Sequence, residues 1–579
     1  MTRARPAQHD SWNHDDPAER AALRDTSTAP AGSTRTPPGR QASSARPAAA
    51  MVLSAVMSHL PVVGVFEVLV ACVVLLAVRY YVRTARFWTS RGVMSKGGLP
   101  ILGSAPALIL QTQYRGRIMQ KFYREARAKN EPCVGLFVAS QPTLLLVDQD
   151  LLRSVLVKDF SHFMDRGMAF DRHREPLTAN LFSIEGAEWR ALRHKLTPTF
   201  TSGKMRNMFP LVQACADELT AVLAAEAAAG RPVEMFELLA RFTTDIIGSC
   251  AFGIQANALK DPDSEFRVMG KKAFDLNILQ IFFGLVVPKA LPYARAIFPN
   301  LRLIHKSVAD FFTRQASVPR AEGAAETFEE NVEYRQKNKV VRHDFVDILM
   351  QLKSKNSGDT DGIDADILPA QAFIFFLAGF ETSSSTLANV MTELAHNPDV
   401  QDKVRAEVER VLAKHNGNIT YEALGELTYM EQVIDETMRL YPALANITRV
   451  VNEDYVLPTT TADGKPAVLP KGIKVIIPTF ALHRDPEFYP EPDKFNPDNF
   501  TDEAKRSRPN FAFLPFGEGP RICIGLRFAM MQMKSGLATI LRSFRVLPVE
   551  GANDYPPEFE VRTFVTKVKG GNKVILRAL

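Results

Sequence analysis

The stretch FGEGPRICIG, Phe516 to Gly525, holds one cysteine among three glycines, a proline and an arginine. Directly after it, Leu526, Ala529, Met530, Met533, Leu537 and Leu541 recur at spacings of three and four, which predicts an amphipathic helix. Cys523 then sits in a tight loop at a helix N-terminus, where backbone N–H groups and the helix dipole favour a thiolate over a thiol. Gly517 and Gly519 permit backbone conformations and close approaches that a Cβ would block. A flat, bulky group could lie against this loop and be ligated by the sulfur. The plainer reading is a small buried hydrophobe in a glycine turn, the usual state of a free cysteine.

The rest of the chain bounds that choice. Its 579 residues, 46% hydrophobic and 9% aromatic, can bury a large core. A formal net charge of +6 over such a length is mild, so no nucleic-acid partner is implied unless the charges cluster. Cys72, Cys133, Cys215, Cys250 and Cys523 form neither disulfide nor metal-ligand spacings, and read as reduced thiols facing a cytosol-like compartment.

Residues 1–50 are rich in Ala, Pro, Ser, Thr and Arg without apolar periodicity, the composition of a disordered extension. Asp10, Asp15, Asp16, Glu19 and Asp25 make it too acidic for a mitochondrial transit peptide. Residues 51–59 lead into Leu60–Val78, an apolar run interrupted only by Glu67 and long enough to span a bilayer. Arg79, Arg83, Arg86 and Arg91 follow in a basic linker, 79–97, and such flanks put the remainder in the cytosol. A cleaved signal peptide fits less well, since the run ends on arginines rather than small residues. Carrying the seven arginines and five acids of the extension across a membrane is awkward, a conflict that a start at Met51 would remove.

GGLPILGS, Gly97 to Ser104, is a Gly/Pro joint, and residues 98–579 read as one helix-dominated domain. Strand signals are few: a hairpin of Val134–Phe137 and Thr143–Val147, alternation at Ile473, Val475 and Ile477, and Val561–Val568 with Val574–Leu576 around a KGGN turn. Ala316–Asn338 and Ser354–Asp364 read as solvated loops or helix ends. Ala372–Ala395, free of proline and apolar on nearly all sides in its first half, predicts a buried central helix. Taken alone, Thr382 on that helix would bond its own i−4 carbonyl. Glu436 and Arg439, three apart, would be a common surface pair.

Together these segments resemble the cytochrome P450 family. Phe516-x-x-Gly519-x-Arg521-x-Cys523-x-Gly525 is similar to that family's haem-binding loop, Ala378-Gly379-Phe380-Glu381-Thr382 to its oxygen-activation motif, and Glu436-x-x-Arg439 to its fold-locking pair. The resemblance runs from about Gly97 to the C-terminus and is closest to microsomal enzymes of insects that metabolise xenobiotics. It implies a mainly α fold with small peripheral β-sheets, behind a single N-terminal transmembrane helix. It further implies haem b (iron protoporphyrin IX) with Cys523 as axial ligand, a thiolate that favours O–O cleavage.

Residue by residue, the resemblance makes Trp189, Arg193, Arg449 and Arg521 contacts of the haem propionates. Ala378 and Gly379 leave room for a diatomic ligand beside the Thr382 hydroxyl, with Glu381 as the acidic relay to bulk water. Asn499 stands where the family often has an arginine completing the charge triad, and an amide cannot form that ion pair. Arg190, His194 and Lys195 extend a basic patch, read as a solvated face or as the docking surface of NADPH–cytochrome P450 reductase, with cytochrome b5 as a further partner. The implied activity is insertion of one oxygen atom from O2 into apolar molecules, xenobiotics such as insecticides and plant toxins or endogenous lipids, at the endoplasmic reticulum membrane. Phe163–Phe182 and Ile281–Phe298, rich in Phe, Leu and Val, would line the pocket and its entrance. The competing readings are a haem-thiolate isomerase or dehydratase that needs no reductase, and a non-catalytic haem- or lipid-binding membrane protein.

Overall fold

The computed structural model describes residues 64–99, 102–275, 278–315, 368–460, 466–551 and 555–579. The expected extension 1–50, its lead-in and the two polar stretches lie outside them. The chain divides into two units, Met1–Val73 and Val74–Leu579. In chain order, the elements used below are helix α1 (Val65–Thr89), strands β1 (Cys133–Val138) and β2 (Gln141–Leu146), helices α2 (Gly186–Leu196), α3 (Met235–Ile247), α4 (Leu368–His396) and α5 (Thr428–Leu440), strands β3 (Ile447–Val450) and β4 (Lys474–Ile477), helix α6 (Leu526–Ser543), and strands β5 (Phe544–Pro548) and β6 (Lys573–Ala578).

Helices dominate because long apolar stripes meet in one core. α4 carries Phe373, Phe376, Phe380, Leu387, Val390 and Leu394 into it, α3 adds Leu239, Phe242 and Ile246, and α6 adds Met533, Leu537 and Leu541. The second core lies under the four-stranded sheet, ordered β1-β2-β4-β3. The expected hairpin is there, antiparallel with Val138 opposite Gln141, and β4 joins β2 in parallel register. The second hairpin is not. β6 pairs instead with β5, and Val561–Val568 touches the strand pattern only at the isolated Phe559–Val568 bridge. Its apolar and β-branched residues are used differently: Val561 and Phe564 line a cavity, while Thr566 Oγ1 donates to Pro442 O at 2.6 Å.

The apolar helix also differs from expectation. It continues through Arg79, Arg83 and Arg86 as far as Thr89, so half of the basic linker is helical. Val68, Leu69, Val73, Leu75 and Leu76 are exposed on it, and the helix is long and apolar enough to cross a membrane. Another long helix, Ser202–Ala229, buries Met205, Leu219 and Leu223 in the core. Trp88 is fully buried, and its Nε1 donates to Leu136 O at 3.0 Å. A Cβ on Gly135 would stand 2.2 Å from the Trp88 ring, which is why the strand carries glycine there.

At the far end of α4, the buried Glu393 accepts from Tyr441 Oη at 2.5 Å and Tyr555 Oη at 2.8 Å. Burial pushes its carboxyl up to about 7, against the pull of the two phenols. A carboxyl raised by folding binds its proton more tightly in the native state. Its contribution is therefore present at low pH and lost as pH rises from the ordinary carboxylate range through about 7. In Glu393→Gln that slope should vanish from a plot of denaturation midpoint against pH. Trp88→Ala should cost about 3–5 kcal/mol, the usual range for emptying a buried aromatic site, and lower the midpoint at every pH.

Candidate active site

A cavity of about 440 Å³ opens inside the body, and its walls come from nearly every element named above. Leu181, Phe182, Ile281, Ile374, Phe375 and Phe564 make much of it apolar. One wall is the glycine loop. Gly517 and Gly519 have φ of 74° and 75°, a region that L side chains avoid. A Cβ at Gly519 would also lie 1.9 Å from Leu156 O. The Cys523 amide donates to Phe516 O at 2.9 Å, and Gly525 caps α6. Cys523 is deep in the protein, yet its side chain is open to the cavity.

The loop does not by itself make a thiolate. Burial pushes the Cys523 thiol up, the Gly525 N–H and the guanidinium groups of Arg193 and Arg166 pull it back, and the net stands above the ordinary thiol value. Desolvation outweighs the helix terminus on which the sequence argument relied. A metal ion bound at the sulfur would reverse the balance, since a coordinating thiol is deprotonated outright.

A second wall is α4, through Ala378, Gly379, Thr382, Ser383 and Thr386. Gly379 is required where α3 comes close, because a Cβ there would stand 2.2 Å from Ile247. The Thr382 hydroxyl donates to Ala378 O at 2.8 Å, the i−4 bond common to threonine inside helices. Glu381 is buried but is not among the residues lining the cavity. It pairs with Lys567 Nζ at 2.5 Å, whose ammonium lies over the Phe236 ring at 4.4 Å and whose side chain is partly exposed. One residue along a helix is about 100° around it, so the neighbour of Thr382 faces elsewhere.

The third feature is charge. Arg166, Arg193, Arg449 and Arg521 all line the cavity. Arg521 lies over the Trp189 ring at 4.0 Å, donates to Ile184 O at 3.0 Å and stands 3.7 Å from Asp165. Burial pulls its guanidinium down to about 9, with Arg449 pushing the same way, and burial pulls Arg449 down to about 10. Arg166 is lowered by burial and then by repulsion from Arg521, Arg449 and Arg193. Arg449 Nε and Arg521 Nε and Nη1 are buried without a hydrogen-bond partner among the described residues. Trp189, Arg193, Arg449 and Arg521 were expected here; Arg166 and the cavity-lining Lys474 were missed. Lys474 had a signal, a lone charge inside an apolar strand, whereas Arg166 follows Asp165 in an irregular loop with no period to read.

A family-wide sequence model described as Cytochrome P450 matches residues 96–573. The chain belongs to the cytochrome P450 family. It is 39% identical over 495 residues to the "Probable cytochrome P450 6a23" of Drosophila melanogaster, covering 84% of this chain and 93% of that protein. To "Cytochrome P450 6a8" of the same fly it is 38% identical over 516 residues, 87% and 97% of the two chains, and to "Cytochrome P450 6k1" of Blattella germanica 36% over 522 residues, 87% and 95%. Cytochromes P450 are monooxygenases that bind haem b through a cysteine thiolate. The residues present fit that group: an apolar cavity with one open thiol, and a crowd of under-partnered guanidinium groups suited to two carboxylates.

Outside the cavity, this P450 buries Glu436 and Arg439 completely, joined by two 2.7 Å bonds. Arg439 spends its other donors on His483 O at 3.0 Å, Pro492 O at 2.6 Å and Lys494 O at 2.9 Å. Asn499 Nδ2 reaches both Glu436 oxygens at 3.2 and 3.3 Å, so an amide stands in the third position of the triad. Arg508 lies close by, over the rings of Tyr489 and Phe500 at 4.7 Å each. Arg190, His194 and Lys195 border a shallow surface depression with Met164, Ala187 and Ala191. Glu436→Ala should leave Arg439 buried and uncompensated, a loss of about 3–5 kcal/mol, and abolish haem incorporation. Asn499→Ala, which removes one amide donor, should cost about 1 kcal/mol and keep it. Holoprotein yield and denaturation midpoint check both.

Proposed function

We propose that this P450 is a membrane-anchored monooxygenase that oxidises apolar small molecules with electrons drawn from NADPH through a flavoprotein reductase. The observation that carries the reading is a single cavity holding the open Cys523 thiol, the Ala378–Thr382 turn and the guanidinium groups of Arg166, Arg193, Arg449 and Arg521. In this assignment Cys523, within the Phe516, Gly519, Gly525 loop, would ligate the haem iron, and Trp189, Arg193, Arg449 and Arg521, joined by Arg166, would hold the propionates. Bound haem iron supplies the electron-transfer and dioxygen chemistry.

The chain's own residues supply position and protons. Phe182, Ile374, Phe375 and Phe564 exclude water and hold an apolar substrate. Ala378 and Gly379 leave space beside α4, and Thr382 Oγ1, held on Ala378 O, carries the proton on the cavity side. Glu381 acts from behind that wall, taking protons from the solvent side through Lys567. The Arg190, His194 and Lys195 surface receives the reductase, with cytochrome b5 as a second donor, because a basic face steers an acidic partner. Helix α1 is the anchor, the endoplasmic reticulum the membrane, and residues 98–579 the cytosolic domain.

Reduced protein treated with carbon monoxide should show the red-shifted Soret band of a thiolate ligand, and Cys523→His should lose it; an unshifted band in the unaltered protein would contradict the assignment. Reconstituted with a reductase and small apolar substrates, Thr382→Ala should still bind haem and consume NADPH. Its product per NADPH should fall by about one to two orders of magnitude, the scale of a lost proton donor, with the balance leaving as hydrogen peroxide. Product formed without NADPH would replace this reading with an isomerase or dehydratase.

A further inference from the structure

The turn of α4 at the cavity is held by side chains to an unusual extent. Ala378 O accepts from Thr382 Oγ1 at 2.8 Å, Gly379 O from Gln532 Nε2 at 3.0 Å, Glu381 O from Ser384 Oγ at 3.2 Å and Thr382 O from Thr386 Oγ1 at 2.9 Å. Phe380 O has Thr243 Oγ1 within 3.1 Å, although that hydroxyl has Leu239 O at 2.9 Å as well. Five consecutive carbonyls thus have a side-chain donor within reach. Most of these donors are local hydroxyls. Thr243 comes from α3 and shares its hydroxyl with its own helix, whereas Gln532 reaches across from α6, the helix whose N-terminus follows Cys523.

Gln532 is completely buried and lines the cavity beside Gly379, Thr382 and Ser383. Its Nε2 also bonds Ser383 Oγ, while its Oε1 is buried without a partner among the described residues. As a packing element this is a poor choice, because an unmade buried bond costs free energy that an apolar side chain of similar volume would not. Both groups it holds are ones that compete for hydroxyl bonds in this turn. With Gln532 removed, the Ser383 hydroxyl could fold back onto Gly379 O, as Thr382 does onto Ala378 O, and such back-bonds bend a helix.

We propose that Gln532 is a positioning residue for oxygen use. By holding the Gly379 carbonyl and the Ser383 hydroxyl toward α6, it fixes the turn so that the Thr382 hydroxyl can leave Ala378 O only toward the cavity. The inference rests on the reading of Thr382 as the proton carrier. It also makes α6 a mechanical link, bearing the thiol loop at its start and the clamp on the oxygen-side turn one residue less than two helical turns later.

The test uses full-length holoprotein carrying Gln532→Met, which keeps volume without a donor, Gln532→Glu, which keeps shape, and each combined with Thr382→Ala. The reduced carbon-monoxide Soret band and the denaturation midpoint of Gln532→Met should match those of the unaltered protein. Peroxide formed per NADPH should rise about tenfold, the scale on which small misplacements of a reacting group are felt. Backbone hydrogen exchange over residues 378–386 should quicken, a readout that needs no turnover. Adding Thr382→Ala should bring little further change, as expected if both act through one hydroxyl. Unchanged peroxide yield with an intact Soret band overturns the proposal, as do additive effects, and so does loss of the band in both single variants, which would make Gln532 a support for haem retention. Failure of the parent reading looks different: Thr382→Ala alone would then leave peroxide yield unchanged.

Discussion

The guanidinium groups of Arg166, Arg193, Arg449 and Arg521 crowd together in a largely apolar cavity, and most of the architecture can be understood as a response to that arrangement. Like charges brought together out of water repel strongly, and burial adds its own cost to each. Burial draws Arg449 down to about 10, and burial joined by the Arg449 charge draws Arg521 down to about 9. Asp165 answers only part of the charge, at 3.7 Å from Arg521. An interior of this kind selects an amphiphile with a broad apolar body and acids confined to one edge, which describes haem b. The Trp189 ring under Arg521 and the carbonyl of Ile184 spread the remaining positive charge without neutralising it.

Holding such a site requires the scaffold around it to be closed elsewhere. Glu436 and Arg439 do this at the end of α5, where five donors and two oxygens are matched against three carbonyls, the Asn499 amide, the Asn496 N–H and each other. The substitution of an amide for a third charge is then physically sensible. A second cation in this fully buried place would need its own counter-ion, whereas the Asn496 N–H and the Asn499 amide fill the remaining lone pairs at no charge. Arg508 remains within the same cluster but spends its charge on two aromatic faces.

How much could be read from the sequence follows from how local each signal is. The cysteine loop, the Ala378–Thr382 turn and the Glu436–Arg439 pair are short, contiguous and chemically distinctive, and the structure brings the first two to one cavity. Arg166 is far from all of them in sequence and joins through an irregular loop, so no periodicity announces it. Which way Glu381 faces is decided by geometry rather than by the motif, since adjacency along a helix separates two side chains onto different faces, and here it turns from the cavity to Lys567. The resting balance at the thiol was not legible for an energetic reason, because a helix terminus is visible in sequence and depth of burial is not. Val561–Val568 has strand composition, and only the surrounding fold decides that it closes a cavity instead of a sheet. The first half of the linker after Val78 reads as charged, yet a helix already under way has no reason to stop at arginines, which are good helix formers.

That closing segment has a consequence for how such a protein can diversify. The bonds that hold it are made at Glu560, Thr563, Thr566 and Lys567: Glu560 N to Lys567 O at 2.9 Å, Arg115 to Thr563 O at 2.5 Å, and Thr566 to both Tyr114 and Pro442. Val561 and Phe564, set between those fixed points, offer side chains to the cavity. Support and contact are thereby assigned to different residues of one short loop. New shapes of guest can be accommodated by rewriting two positions, while the frame that presents them, and the haem end of the cavity beyond, keeps its chemistry.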